Sequence, residues 1–135
     1  MVDHLGTWAV VSVAEFLADI GKQVSLIVPT GIAGWKISIY SSFALKHRLK
    51  EKNVQLIPGH RLLNFANGRA DIEDLSVHDS TQALLVDSVI APISGKPNGP
   101  PEKNRNILNI GDSVSARTAL EAVYEGHETA LFLES

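Results

Sequence analysis

The sequence contains no cysteine, a single methionine and only 6% aromatic residues. The missing cysteine excludes most. Within these residues there can be no disulfide, no thiol nucleophile and no cysteine-held zinc or iron–sulfur cluster. Neither sign of charge dominates: 12 Lys and Arg stand against 15 Asp and Glu, for a net charge of -3. No basic cluster suits a phosphodiester backbone, so nucleic acid is not an expected partner. No apolar run reaches the roughly 20 residues of a membrane span, and the N-terminus lacks a basic region leading into an apolar one. No membrane partner is expected, and the cytoplasm is the expected address. The five histidines, His4, His47, His60, His78 and His127, show neither an HExxH pattern nor close ligand spacing, so no metal site is expected. What is present is 135 residues, 44% hydrophobic and 20% charged, enough to build a real core.

The chain opens with Met1-Val2-Asp3-His4-Leu5-Gly6-Thr7-Trp8, the end of a strand and the loop after it, with very little strand. A helix over 9–20 follows, with Val10, Val13, Ala14, Leu17 and Ala18 on one face and Gly21 as the stop. Gln23 to Val28 reads as a strand closed by Pro29-Thr30-Gly31. This is a βαβ unit whose first strand is shortened. Trp35 reads as a packed loop anchor, with a stacking role as the alternative. Ile37, Tyr40, Ala44, Leu45 and Leu49 give a second helix over 36–51, ended by Asn53, and Val54 to Ile57 the next strand. From His60 the period becomes extended: 61–66, 69–77 and 82–91 form a meander, with Asn67-Gly68 as a type I′ hairpin turn.

The last third carries the stretch with the most chemistry. Asn106-Ile107-Leu108-Asn109-Ile110-Gly111-Asp112 reads as a short buried strand and a Gly-Asp turn. A helix follows, with Ala119, Leu120, Val123, Ala130 and Leu131 on its stripe. Such a turn aims backbone N–H groups at the space above it, which suits a phosphate. Gly111 would allow close backbone approach, and the Asp112 carboxylate could accept from a sugar hydroxyl. Equally, Asp112 can serve only as a helix N-cap.

Ile110-Gly111-Asp112 and the helix through Ala119 to His127 resemble the second flavin-binding motif of two-dinucleotide-domain flavoproteins. More narrowly, the stretch is similar to the C-terminal region of old yellow enzyme-like oxidoreductases, in the 2,4-dienoyl-CoA reductase and trimethylamine dehydrogenase branch. Ala14 to Ile27 is similar to the opening of that family's NAD-domain-like unit. Asp87-Ser88-Val89-Ile90-Ala91-Pro92-Ile93-Ser94-Gly95-Lys96-Pro97-Asn98 resembles its crossover back to the flavin domain, although Pro92-Ile93-Ser94 stands where a simple Thr precedes the glycine.

The resemblance implies an α/β fold: a Rossmann-like three-layer domain of the pyridine nucleotide-disulfide reductase kind, with an antiparallel meander and a truncated first strand. Its divisions would be 1–95 for the NAD(P)-domain-like unit, 96–106 for a linker and 107–135 for a strand and helix of the FAD-domain type. In the parent the aspartate contacts the ribitol or ribose of FAD or ADP. The implied cofactor residues are therefore Gly111, Asp112, Ser113 and Val114, with FMN and an iron–sulfur cluster upstream of this chain. A working dinucleotide turn needs G-x-G-x-x-G, and counting back from Glu15 those positions hold Trp8, Val10 and Val13. The βαβ unit is therefore expected to be a scaffold. The function implied is the C-terminal part of a flavin-dependent oxidoreductase, a chain inactive alone, weak or silent toward FAD, NADH and NADPH, and self-associating. A non-catalytic, stand-alone nucleotide- or partner-binding module is the alternative. An unrelated hydrolase is disfavoured, since no nucleophile elbow is evident.

Overall fold

A computed structural model describes residues 1–93, 95–99 and 107–133. The readings placed on Ser94, on linker residues 100–106 (including Asn106) and on the last two residues lie outside the described ones. The chain divides into two compact units, Met1–Pro92 and Ile93–Ser135.

In the first unit α1 spans Trp8–Asp19, β1 Ser25–Val28, α2 Ile39–Glu51 and β2 Gln55–Pro58. Both helices end in the same way. After α1, Lys22 N–H donates to Leu17 O and Gly21 N–H to Ala18 O; after α2, Val54 N–H donates to Leu49 O and Asn53 N–H to Lys50 O. These are Schellman closures, which satisfy the last carbonyls and turn the chain sharply into the following strand. The strands so delivered, β1 and β2, pair in parallel, Ser25 opposite Gln55 through Val28 opposite Pro58.

The shortened first strand is present as a single bridge. Val2 pairs with Ile27 in parallel, Asp3 N–H donates to Ile27 O at 2.8 Å, and Ile27 N–H donates to Met1 O at 2.8 Å. On its other side Val2 N–H donates to Ile90 O at 3.0 Å. The Met1 ammonium donates to Ser25 O at 2.6 Å, and partial burial lowers its pKa by penalising the charged form.

Alternation along β1 sorts the core. Leu26 and Val28 enter one cluster with Val10, Val11 and Ala14 of α1 and Leu45 and Leu49 of α2. Ile27 enters a second cluster with Val2 and Ile72. Ile72 comes from the meander: β3 His60–Ala66, β4 Arg69–Asp74 and β5 Thr81–Leu85, antiparallel in the order β3-β4-β5. Asn67 and Gly68 both have positive φ, as the type I′ turn requires. The second and third of these strands run shorter than the sequence suggests; β4 ends at Asp74, after which Leu75 N–H leaves the ladder to donate to Gly59 O at 2.7 Å. On α1 the buried residues are Val10, Val11 and Ala14, whereas Val13 is 41% exposed. The inward face is thus rotated by part of a turn from the expected one.

In the second unit the chain passes through a 3-10 turn, Gly111–Ser113, into α3, Ala119–Leu133. Residues 107–110 form no strand. Only the extended backbone at Ile110 (φ -138, ψ 164) remains of the expected one.

Candidate functional site

Gly111, Asp112, Ser113 and Val114 stand together at the turn before α3, but the helix does not start on them. It begins at Ala119, and its cap is made by Thr118. The Thr118 hydroxyl oxygen accepts from Leu120 N–H at 3.3 Å, and the Glu121 carboxylate accepts from Thr118 N–H at 3.0 Å and from the Thr118 hydroxyl. Thr118-Ala119-Leu120-Glu121 is a capping box, a signal present in the sequence that places the helix start at Ala119, beyond the Gly-Asp turn. The hydroxyl of Thr118, and then the backbone donors, hold the Glu121 carboxyl below its ordinary range.

Asp112 therefore does not cap α3. One of its carboxylate oxygens accepts from Arg117 N–H at 3.1 Å, closing the loop between the 3-10 turn and the helix, and the residue is exposed. The Ser113 hydroxyl donates to Ile110 O at 2.7 Å. Val114 and Ser115 N–H both donate to Gly111 O, at 3.0 and 3.1 Å.

Gly111 is buried with φ +59, and a methyl group added to it would lie 2.9 Å from Ala122 Cβ. In the folded chain this glycine permits a close approach to α3. Its N–H donates to Glu125 Oε2 at 2.7 Å, and the other oxygen of Glu125 accepts from the Arg117 guanidinium. The Gly111 N–H, and then Arg117, hold the Glu125 carboxyl below its ordinary range. Glu125 thus fixes the turn to the helix. Sequence reading missed it because the Arg117–Glu125 separation matches no helical contact spacing: Arg117 lies before the helix.

The second candidate location is the turn between the vestigial first strand and α1. The positions that would hold fingerprint glycines, Trp8, Val10 and Val13, all lie inside α1. Closure comes from Asp3, which the sequence did not single out. Fully buried, it accepts from Gly6 N–H at 2.8 Å with one oxygen and from Gly34 N–H at 2.7 Å with the other. The Trp35 indole lies against Gly6, 2.5 Å from where a Cβ would stand, and Gly6 has φ +64. Lys36 N–H donates to Gly6 O at 2.8 Å, and the Lys36 ammonium sits 4.8 Å from the Trp35 ring centre. An internal carboxylate thus takes up backbone donors of the turn, and Trp35 anchors the 31–37 loop upon it. Among the described residues no group of three acidic or histidine side chains is arranged to hold a metal ion, and no helix is long and apolar enough to cross a membrane.

No protein-family model and no curated protein matches the chain. Solved structures do. The chain is similar to part of histamine dehydrogenase from Rhizobium sp. 4-9, with a TM-score of 0.77 and 18% identity, over 99% of this chain and 23% of that one. It is similar to part of 6-hydroxypseudooxynicotine amine oxidase from Pseudomonas geniculata N1, with a TM-score of 0.73 and 15% identity, over 94% of this chain and 20% of that one. The chain spans about a fifth of the length of these two structures. At such identities the likeness establishes the fold, a mixed α/β arrangement of parallel and antiparallel strands, and nothing finer.

Proposed function

We propose that the chain is the C-terminal dinucleotide-binding-like part of a flavin-dependent oxidoreductase, of the NADH:flavin oxidoreductase and 2,4-dienoyl-CoA reductase kind. The observation that carries this reading is the match of nearly the whole chain to about a fifth of an amine oxidase and of a histamine dehydrogenase. The sequence has no cysteine, so a thiolate-held iron–sulfur cluster or thiol chemistry would fall to residues outside this chain. In this reading the fold is a Rossmann-like three-layer domain with helices on one face of β1 and β2 and the meander on the other. The alternation of Leu26 and Val28 against Ile27 supports it.

Gly111, Asp112, Ser113 and Val114 are the proposed contact for the ribose or ribitol of ADP or FAD in the parent protein. The exposed Asp112 carboxylate is the group for a sugar hydroxyl. FMN, an iron–sulfur cluster and the hydride chemistry belong to residues outside this chain. The internally bonded turn at Asp3, Gly6 and Trp35 supports the reading of the βαβ unit as a scaffold rather than an NAD(P) site.

Expression of this chain alone, and of the chain together with the coding sequence that adjoins it, tests the proposal through flavin absorbance of the purified proteins. The longer product should carry flavin and the isolated chain none. A longer product without flavin would overturn the flavoenzyme reading. Stoichiometric flavin on the isolated chain would overturn the assignment of the chemistry to residues elsewhere.

A further inference from the structure

The carboxylates along α3 have different partners. Glu121 is spent on the Thr118 cap, and Glu128 accepts from the Tyr124 hydroxyl at 2.8 Å. Glu125, between them, is bonded to the turn before the helix. One of its oxygens accepts from Gly111 N–H at 2.7 Å and the other from the Arg117 guanidinium.

Arg117 links this carboxylate to the exposed aspartate of the turn. Its guanidinium is held by Glu125 and donates to Ser115 O at 3.3 Å, while its backbone N–H donates to Asp112 Oδ1 at 3.1 Å. The bonds close a ring: Glu125 to the Arg117 side chain, the Arg117 backbone to Asp112, and Gly111, next in the chain to Asp112, back to Glu125. Asp112 Oδ2 makes no hydrogen bond among the described residues. An exposed aspartate otherwise samples several rotamers, and ordering a side chain on binding costs affinity. Here one oxygen is fixed, and the other is left over in a set direction.

We propose that Glu125 is a positioning residue for the ligand contact at Asp112. Acting through Arg117, it holds the Asp112 carboxylate so that Oδ2 is presented to a hydroxyl of a ribose or ribitol. The inference rests on the reading of residues 111–114 as the sugar contact, and it adds what sets that contact in place. Oδ2 offers an acceptor, which a sugar hydroxyl can meet and an ionised phosphate oxygen cannot. The Gly111 N–H, and then Arg117, favour the ionised form of Glu125, so the ring is intact at neutral pH.

Amide shifts of the isotopically labelled full chain test both links. Lowering the pH protonates Asp112, and an Arg117 amide bonded to that carboxylate moves with it. Glu125→Ala removes both bonds of the carboxylate and keeps a good helix former in α3. The Arg117 amide should then lose its response to Asp112, with far-ultraviolet circular dichroism unchanged. With ADP as the probe, the initial slope of the Asp112 amide shift against concentration reads an affinity too weak to saturate. That slope should fall by roughly threefold to tenfold in Glu125→Ala, the order of cost for one side chain left to be ordered on binding. Arg117→Ala should lower it as far, and the double variant no further, because both residues act through one path. Arg117→Lys, which keeps a cation for Glu125, should recover most of the slope. An Arg117 amide that follows Asp112 equally in the wild type and in Glu125→Ala would overturn the proposal, and so would additive losses in the double variant. ADP shifts absent from residues 111–114 of the wild type, with the Arg117 response intact, would overturn the sugar contact and the inference with it.

Discussion

Asp3 is the residue on which the first unit turns. Its carboxylate lies fully buried and satisfies two backbone N–H groups, Gly6 on the strand–helix turn and Gly34 on the loop that carries Trp35. An amide in the same place keeps one acceptor and turns a donor toward a donor. Asp3→Asn should therefore destabilise the protein by about 1–3 kcal/mol, the penalty for a buried donor left unmet. Urea unfolding should show this as a lower midpoint with an unchanged slope. An effect within about 0.5 kcal/mol, the usual range of surface substitutions, would mean that water replaces the carboxylate freely.

Glu125 offers a residue-scale test by pH. Its pKa is depressed in the folded chain by the Gly111 N–H and then by Arg117, so its ionised form is the one the fold favours. A group of this kind contributes stability that is present above its unfolded-state pKa and is lost as pH falls through the lower, folded-state value. The Gly111 amide resonance should hold steady from neutral pH down through the ordinary glutamate range and shift only below it. In Glu125→Gln the shift should vanish. A transition of the Gly111 amide within the ordinary glutamate range would show that the hydrogen bond does not hold the turn.

At the scale of elements, the helices and strands of the first unit were legible because each carries its own boundary. Gly21 and Asn53 stop α1 and α2, and Asn67-Gly68 makes the hairpin. The stretch before α3 was misread for an identifiable reason. Ile107, Leu108 and Ile110 have strand composition, yet a strand needs a neighbouring edge to pair with, and composition does not say whether one is there. The helix start is legible in the sequence as the capping box of Thr118 and Glu121. Thr118→Ala should lower stability by about 0.5–2 kcal/mol and reduce helical circular dichroism, whereas Ser113→Ala should leave the helical signal unchanged. If the two variants lose helix equally, α3 begins earlier than the hydrogen bonds indicate.

For the whole molecule, the sequence pattern reached the mixed α/β architecture and the near-absence of a first strand, which survives as the Val2–Ile27 bridge. It could not reach the closures at Asp3 and Glu125, since both join residues distant in the chain: Asp3 to Gly34, and Glu125 to Gly111. The same limit applied to the candidate sites. The close packing of Gly111 on Ala122 of α3 is one such contact, invisible to any short-range pattern. Trp8, Val10 and Val13 stand on the positions of the fingerprint glycines, and all three lie within α1.

The central claim is that any nucleotide contact of this chain falls at residues 111–114 and not at the turn before α1. Titration of the isotopically labelled chain with ADP, followed by amide chemical shifts, tests it most directly. Binding should be weak, with a dissociation constant on the order of 1 mM or above, a binding free energy no more favourable than about -4 kcal/mol. The shifts should gather at Gly111, Asp112, Ser113 and Val114, and Asp112→Ala should abolish them. Gly6, Thr7 and Trp8 should not move. Saturable shifts at Gly6 to Trp8, with residues 111–114 unmoved, would contradict the account.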